Sequence, residues 1–303
     1  MQGLASFVMR GRSQAAMVAS AAAVLSLIVP VVGLFSSAAV ALVALRQGAL
    51  EGLVVGLFAG LASGLFAFAV LGSPLPAIGF ALALWLPVWA LAVVLRHSLS
   101  LALAVQMASV IGLLVVIAVR LQSPDPAEYW AELLEPLREN LVQNQVIDAD
   151  GSRALVAQVA LWMTGAFAAT FYFQALLALF IGRWWQALLY KPGGFGAEFR
   201  ELRLGRTIGF LSLGLMLVLL VRPEARWAAD LLMLLTPLLF LQGVAVVHGL
   251  TKGLGAGRGW LIGFYVLLVV TMPHAPILVS GLGLVDIWLD VRARFGKGGR
   301  SQD

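Results

Sequence analysis

Between residues 15 and 289 the sequence is a succession of apolar runs, several approaching or exceeding the ~20 residues that a helix needs to cross a bilayer core. Lipid offers the backbone no water, so such runs have to satisfy their amide groups internally, as helices. The first run covers residues 15–45. It is followed by 50–71, 75–95, 99–119, 154–181, 208–221, 227–247, 260–272 and 275–289. Only 12% of the 303 residues are charged, against about a quarter in a soluble domain. The chain therefore reads as an all-α, polytopic transmembrane helical bundle. The net charge of +5 does not point to nucleic acid, because the bases sit in short loops at helix ends, where they report topology. With no cysteine, disulfides and thiolate metal sites are excluded.

One long polar stretch, residues 123–152, divides the runs into two halves. It carries Asp125, Glu128, Glu132, Glu135, Glu139, Asp148 and Asp150 against a single base, Arg138. Such a segment cannot sit in lipid. Asp125, Pro126 and Glu128 fit an N-cap, a first-turn proline and a capping-box acid. Trp130, Leu133, Leu134, Leu137 and Leu141 then recur at helical spacing, which predicts an amphipathic helix with a kink at Pro136. The expectation is an external helix that lies on the membrane surface or caps the bundle, with a lid over a substrate path as the sharper reading.

Orientation follows from the bases. Arg10 and Arg12 precede the first run, residues 183–206 carry Arg183, Lys191, Arg200, Arg203 and Arg206, and the tail carries Arg292, Arg294, Lys297 and Arg300. Loops rich in Lys and Arg face the cytoplasm, so the acidic stretch, one span before Arg183, falls outside. Counting back makes Arg96 and Arg46 cytoplasmic. Residues 15–45 then have to go out and return, bending near Pro30 and Gly33, and residues 260–289 have to do the same at Pro273 to Pro276. The first run is too long for a signal peptide's apolar core and reads as the uncleaved start of the membrane domain. The expected organisation is a cytoplasmic head (1–14), one membrane domain (15–290) of about eight to ten segments, and a cytoplasmic basic tail (291–303). The expected location is a bacterial inner membrane. Eight spans with broken first and last helices would give a similar pattern.

Polar residues inside apolar runs are the candidate functional groups, because they are costly there. Gln106, Gln158, Tyr172 and Gln174 are the candidate lining of a substrate cavity. Asp286, Asp290 and Arg294 stand at four-residue steps, as an ion-pair or proton-coupling group would. Interhelical hydrogen bonds are the ordinary use of the uncharged ones. Two small-residue ladders, Ala15–Ala19–Ala23 and Gly52–Gly56–Gly60–Gly64, suit close helix contact, either within the chain or with a membrane partner or second copy. Trp184, Trp185 and Tyr190 beside Arg183 and Lys191 read as an interfacial anchor. The glycines at 253, 255, 257 and 259 lack both the preceding strand and the GK[ST] ending of a phosphate loop. No HExxH or GxSxG is present, and His97 and His248 are expected on the opposite side from His274, so no enzyme and no cofactor is implied.

The order of these features resembles the YybS-like family of bacterial inner-membrane proteins. The resemblance rests on the broken first segment ending in ALVALRQGALEGL, on FRELRLGR (199–206), on LQGVAVVHGL (241–250) and on GLGLVDIWLDVRARF (281–295). That family is similar in layout to the membrane substrate-binding subunits of energy-coupling-factor vitamin transporters. In those an alanine ridge on the first helix contacts the energising subunit, which Ala15, Ala19 and Ala23 would match. The chain differs from them by its extra segments and acidic external helix, and no ligand-binding residue carries over. Two functions are expected of such a chain, and the number of membrane segments, more than an anchor requires, favours the first. One is a transport-type protein that binds a small molecule in its bundle and needs a separate energising partner. The other is an accessory or assembly protein acting through protein contacts.

Overall fold

The computed structural model describes residues 1–295 as a bundle of α-helices with no strand among them. The basic tail beyond, with Lys297 and Arg300, lies outside the described residues. Six stretches are long and apolar enough to cross a membrane: Pro30–Gln47, Ala49–Leu71, Leu75–Ser98, Leu101–Gln122, Ala149–Tyr190 and Arg226–Gly253. In chain order the helices are α1 (Gln2–Val8), α2 (Arg12–Leu25), α3 (Gly33–Gln47), α4 (Ala49–Leu71), α5 (Leu75–Phe80), α6 (Leu86–Ser98) and α7 (Leu101–Gln122). Then come α8 (Pro126–Gln143), α9 (Ala149–Tyr190), α10 (Gly194–Arg200), α11 (Arg206–Val221), α12 (Arg226–Gly253), α13 (Arg258–Val270), α14 (His274–Leu289) and α15 (Val291–Phe295).

The first run is a helical hairpin. The Ser36 hydroxyl of α3 donates to the Ala19 carbonyl of α2 at 2.6 Å, and Gly33 faces Ser26, so the two helices run antiparallel. Ala15, Ala19 and Ala23 are buried in this packing, with no side-chain bulk to hold the backbones apart. The last run is a hairpin too. Ser280 faces Thr236, Gly283 faces Leu239, and Asp286 meets Gln242, so α14 runs parallel to α12. The intervening α13 therefore has to return between them. Residues 75–98 form one continuous stretch with a π-helical turn at Ala81–Trp85 joining α5 to α6. Pro87 follows, and a proline has no N–H to donate one turn back, which favours the wider turn.

These directions collect the bases at one end of the bundle. Arg96 donates to the Leu45 carbonyl at 2.7 Å, the Arg46 guanidinium lies 4.1 Å over the Tyr190 ring, Arg183 pairs with Glu198, and Arg203 meets Asp290 at 2.7 Å. We call this the basic face. Helix α8 lies at the other end.

The structure places α8 along α9. Asp125 does cap it, accepting from the Ala127 and Glu128 amides at 2.9 and 3.3 Å, and the helix runs through Pro136 uninterrupted. But α9 starts at Ala149, earlier than its apolar run, and its 42 residues span roughly 63 Å at 1.5 Å per residue, about twice a bilayer core. The first third of α9 projects beyond the bundle, and α8 packs antiparallel on it. The Trp130 indole donates to Thr164 at 2.9 Å, and farther out Arg138 donates to Ser152 at 3.3 Å. The two helices stand as a hairpin off the bundle end.

Candidate functional site

Of the polar side chains that the bundle buries, two are carboxylates, Asp230 on α12 and Asp286 beside it on α14. At the basic face Asp286 is enclosed. One carboxylate oxygen accepts from the Gln242 amide at 3.0 Å and from Arg292 at 2.8 Å, and the other accepts from the Val291 backbone N–H at 3.0 Å. The Gln242 carbonyl oxygen in turn accepts from the Leu204 N–H at 2.7 Å, and Arg292 also donates to the Arg200 carbonyl at 2.7 Å. Five pieces of chain are thus tied to one carboxylate: α10, the loop after it, α12, α14 and α15. The Arg292 Nε is buried without a partner.

Local sequence explains how Asp286 reaches this position. Gly243 and Gly283 let α12 and α14 touch backbone to backbone. A Cβ on Gly243 would come within 2.0 Å of the Val279 carbonyl oxygen, and one on Gly283 within 2.0 Å of the Leu239 carbonyl oxygen. Helix α14 then stops at Leu289 because Asp290 adopts a left-handed conformation (φ 43°), as aspartate tolerates better than most residues. That reversal turns α15 back, and Arg292 returns to Asp286.

Asp290 and Arg294 therefore do not continue the Asp286 helix face. Asp290 pairs with Arg203 across the loop after α10. The hydrogen bond from Arg203 holds the Asp290 carboxyl below the usual carboxylate range. Arg294 belongs to α15 and is exposed.

At the opposite end of α12, Asp230 is buried against α7 and α9. It pairs with Arg120 at 2.5 Å and accepts from the Gly165 N–H at 3.0 Å. Gly165 is what permits the approach, since a Cβ there would lie 2.8 Å from the Asp230 Cα. Neither Asp230 nor Arg120 is among the residues that the sequence singles out. The signal was available: a carboxylate four residues into an apolar run needs a partner.

The four candidate lining residues are not brought together. Gln158 lies on the projecting part of α9, outside the bundle, and is exposed. Tyr172 is buried against Gly112 of α7, with its hydroxyl donating to the Leu234 carbonyl. Gln106, half-buried on α7, donates to the Ala102 carbonyl of its own helix at 3.1 Å, and Gln174 is half-buried on α9. The ladders divide as well. The alanines are buried within the chain, where α2 packs on α3 and α4. Of the glycines, Gly52 packs on Ala44, whereas Gly56, Gly60 and Gly64 floor an open apolar groove of about 570 Å³ between α4 and α5. Trp185, expected at the interface, is fully buried and stacks on Phe35 with ring centroids 6.2 Å apart, while Tyr190 remains exposed.

Other recesses lie at the rim of the bundle. One of about 420 Å³ at the basic face is polar, between Arg96, Arg183, Gln186 and Glu198. Another of about 1080 Å³ is apolar and open, where α13 stands away from α12. No cluster of three or more metal-binding side chains occurs among the described residues. Comparison with known proteins finds no matching family model, no curated protein and no solved structure.

Proposed function

We propose that this chain is a multi-pass protein of a bacterial inner membrane, basic face in the cytoplasm, that works through contacts with other proteins as an accessory or assembly component. The observation that carries this reading is how the interior polar groups are used. Trp85 donates to the Ser36 hydroxyl at 2.9 Å and Ser36 to Ala19, Tyr172 closes on the Leu234 carbonyl, and Gln242 is bound at both ends of its amide. Each of these groups stitches one helix to another. A solute crossing the bundle would have to break such stitches, each costing about 1–3 kcal/mol once a buried partner is left unsatisfied. The open apolar grooves and the projecting hairpin, by contrast, are surfaces available to neighbours.

Native mass spectrometry of the protein released with its own lipids tests the reading. A stoichiometric complex with another membrane protein, free of bound solute, is the expected result. A small molecule retained in stoichiometric amount, or an ATP-hydrolysing module released with the chain, would replace this reading with transport.

A further inference from the structure

Helix α13 returns beside α12 without closing on it. None of its side chains among the described residues is buried. Val247, Leu250, Thr251 and Leu254 on α12 recur at i, i+3, i+4 and i+7, and so do Trp260, Gly263, Phe264 and Leu267 on α13. Each set is a single helix face, of the kind that interlocks when two helices pack. Here the two faces form opposite walls of the open groove of about 1080 Å³. His248 Nε2 and the Tyr265 hydroxyl, 2.8 Å apart, fasten the two helices together, and neither residue lines the groove.

The groove is short. From Val247 to Leu254 it follows α12 for about 10 Å at 1.5 Å per residue, within the ~15 Å that one leaflet contributes to a hydrocarbon core of ~30 Å. On the same face of α12, one and two turns farther in, Gly243 and Leu239 meet the backbone of α14. A transmembrane helix from another protein needs a seat along the whole core, which this groove does not provide. An acyl chain entering from one leaflet needs no greater length than the groove offers.

The end of the groove at the basic face is formed by the glycine turn between the helices. Gly257 and Gly259 line it, and a Cβ on either would meet nothing within 4 Å. Lys252 precedes the turn and is exposed, and the sequence carries no acid between residues 231 and 285. Gly257 also leaves the first amides of α13 without a side-chain cap. Apolar walls one leaflet long that end beside positive charge match an amphiphile with an anionic head.

We propose that the groove between α12 and α13 binds one anionic phospholipid, its acyl chains between the two helix faces and its phosphate at the glycine turn beside Lys252. The lipid supplies the packing against α12 that α13 does not make for itself. The inference requires the bundle to span a membrane but not the accessory role argued above. A phospholipid lodged at this rim is not a cargo inside the bundle, so the failure of either reading leaves the other standing.

Native mass spectrometry of the full-length protein, stripped of lipid in detergent and titrated with dioleoyl phosphatidylglycerol or dioleoyl phosphatidylcholine, tests the proposal. One phosphatidylglycerol should bind at least tenfold more tightly than any further copy and than phosphatidylcholine. Gly263→Trp fills the groove from a position with open space around it. It should weaken this first binding at least tenfold and leave thermal unfolding of the lipid-free protein unchanged. Lys252→Glu, at an exposed site, should abolish the preference for phosphatidylglycerol while phosphatidylcholine binds as before. Equal affinity of the wild type for the two lipids would overturn the proposal. So would a tight phosphatidylglycerol site that survives in folded Gly263→Trp, which would put the lipid elsewhere. Glycerol phosphate that competes as strongly as the intact lipid would overturn it too, by showing that the apolar walls contribute nothing.

Discussion

At one end of α12 Asp230 meets Arg120, and at the other Gln242 holds Asp286 against Arg292. The two centres use the same charges in different surroundings. In the Asp286 centre the side chains are 2% and 9% exposed, and three donors, one from α12 and two from α15, converge on the carboxylate. In the Asp230 centre the carboxylate is as deeply placed, but Arg120 is 37% exposed and one backbone N–H completes the set. The first is closed from water, and its members depend wholly on one another. The second keeps one partner in contact with solvent. An ion pair's weight in stability follows from what is left behind when half of it is removed, so the two ends should respond very unequally to mutation.

The largest effect is expected from Asp286→Ala. It strands Arg292 without a counter-charge and frees Gln242 and the Val291 amide, a loss of about 3–5 kcal/mol by analogy with other broken buried pairs. Thermal unfolding in mild detergent measures it. Asp286→Asn should lose less, and Asp286→Leu with Arg292→Met together should recover much of the deficit. Next is Gly283→Ala, whose methyl group has nowhere to go but into the Leu239 carbonyl. Forcing α12 and α14 apart should cost about 1–3 kcal/mol or more, while Gly263→Ala, with nothing within 4 Å, serves as the neutral control. At the opposite end of α12, Arg120→Ala should cost about 1–2 kcal/mol, because water and the Gly165 N–H can still serve Asp230. If it matched Asp286→Ala, the contrast between the two ends would be broken.

The smallest effect belongs to the exposed pair of Asp290 and Arg203. Arg203→Ala should lose less than about 1 kcal/mol at neutral pH. Arg203 lowers the Asp290 carboxyl in the folded protein, so the pair's contribution is present above the ordinary carboxylate range and disappears as pH falls through the lowered value. Melting curves of wild type and Arg203→Ala should therefore converge on acidification.

The sequence made the helix class, the hairpin in residues 15–45 and the cap at Asp125 legible, because each rests on local chemistry: apolar run length, loop charge and a carboxylate before Pro126. The stance of α8 was not legible. Its amphipathic pattern states that one face is apolar, but membrane, bundle and neighbouring helix are equally apolar solvents for Trp130. What decides among them is that α9 remains helical through the polar residues 149–153, outside its apolar run. The partners of the intramembrane carboxylates were hidden for a related reason. Arg292 follows Asp286 by six residues, a spacing that no continuous helix would pair, and only the left-handed turn at Asp290 brings it back. Arg120 and Asp230 are 110 positions apart in the chain. The four residues singled out as cavity lining share a residue type and an apolar setting, and neither property specifies which way a helix is turned.

The central claim is that polar groups inside this bundle stitch helices together and do not line a path. Its most direct test is aqueous access to the interior. Gln106→Cys and Gln174→Cys, each the sole thiol in the chain, would be exposed in sealed membrane vesicles to a charged maleimide from one side and then from the other, with Glu139→Cys as the reactive reference. The account predicts that Glu139→Cys labels from one side only and that both interior thiols stay silent from either side. Labelling of Gln174→Cys at a rate near that of the reference would mean that water reaches the middle of the bundle, and would contradict it.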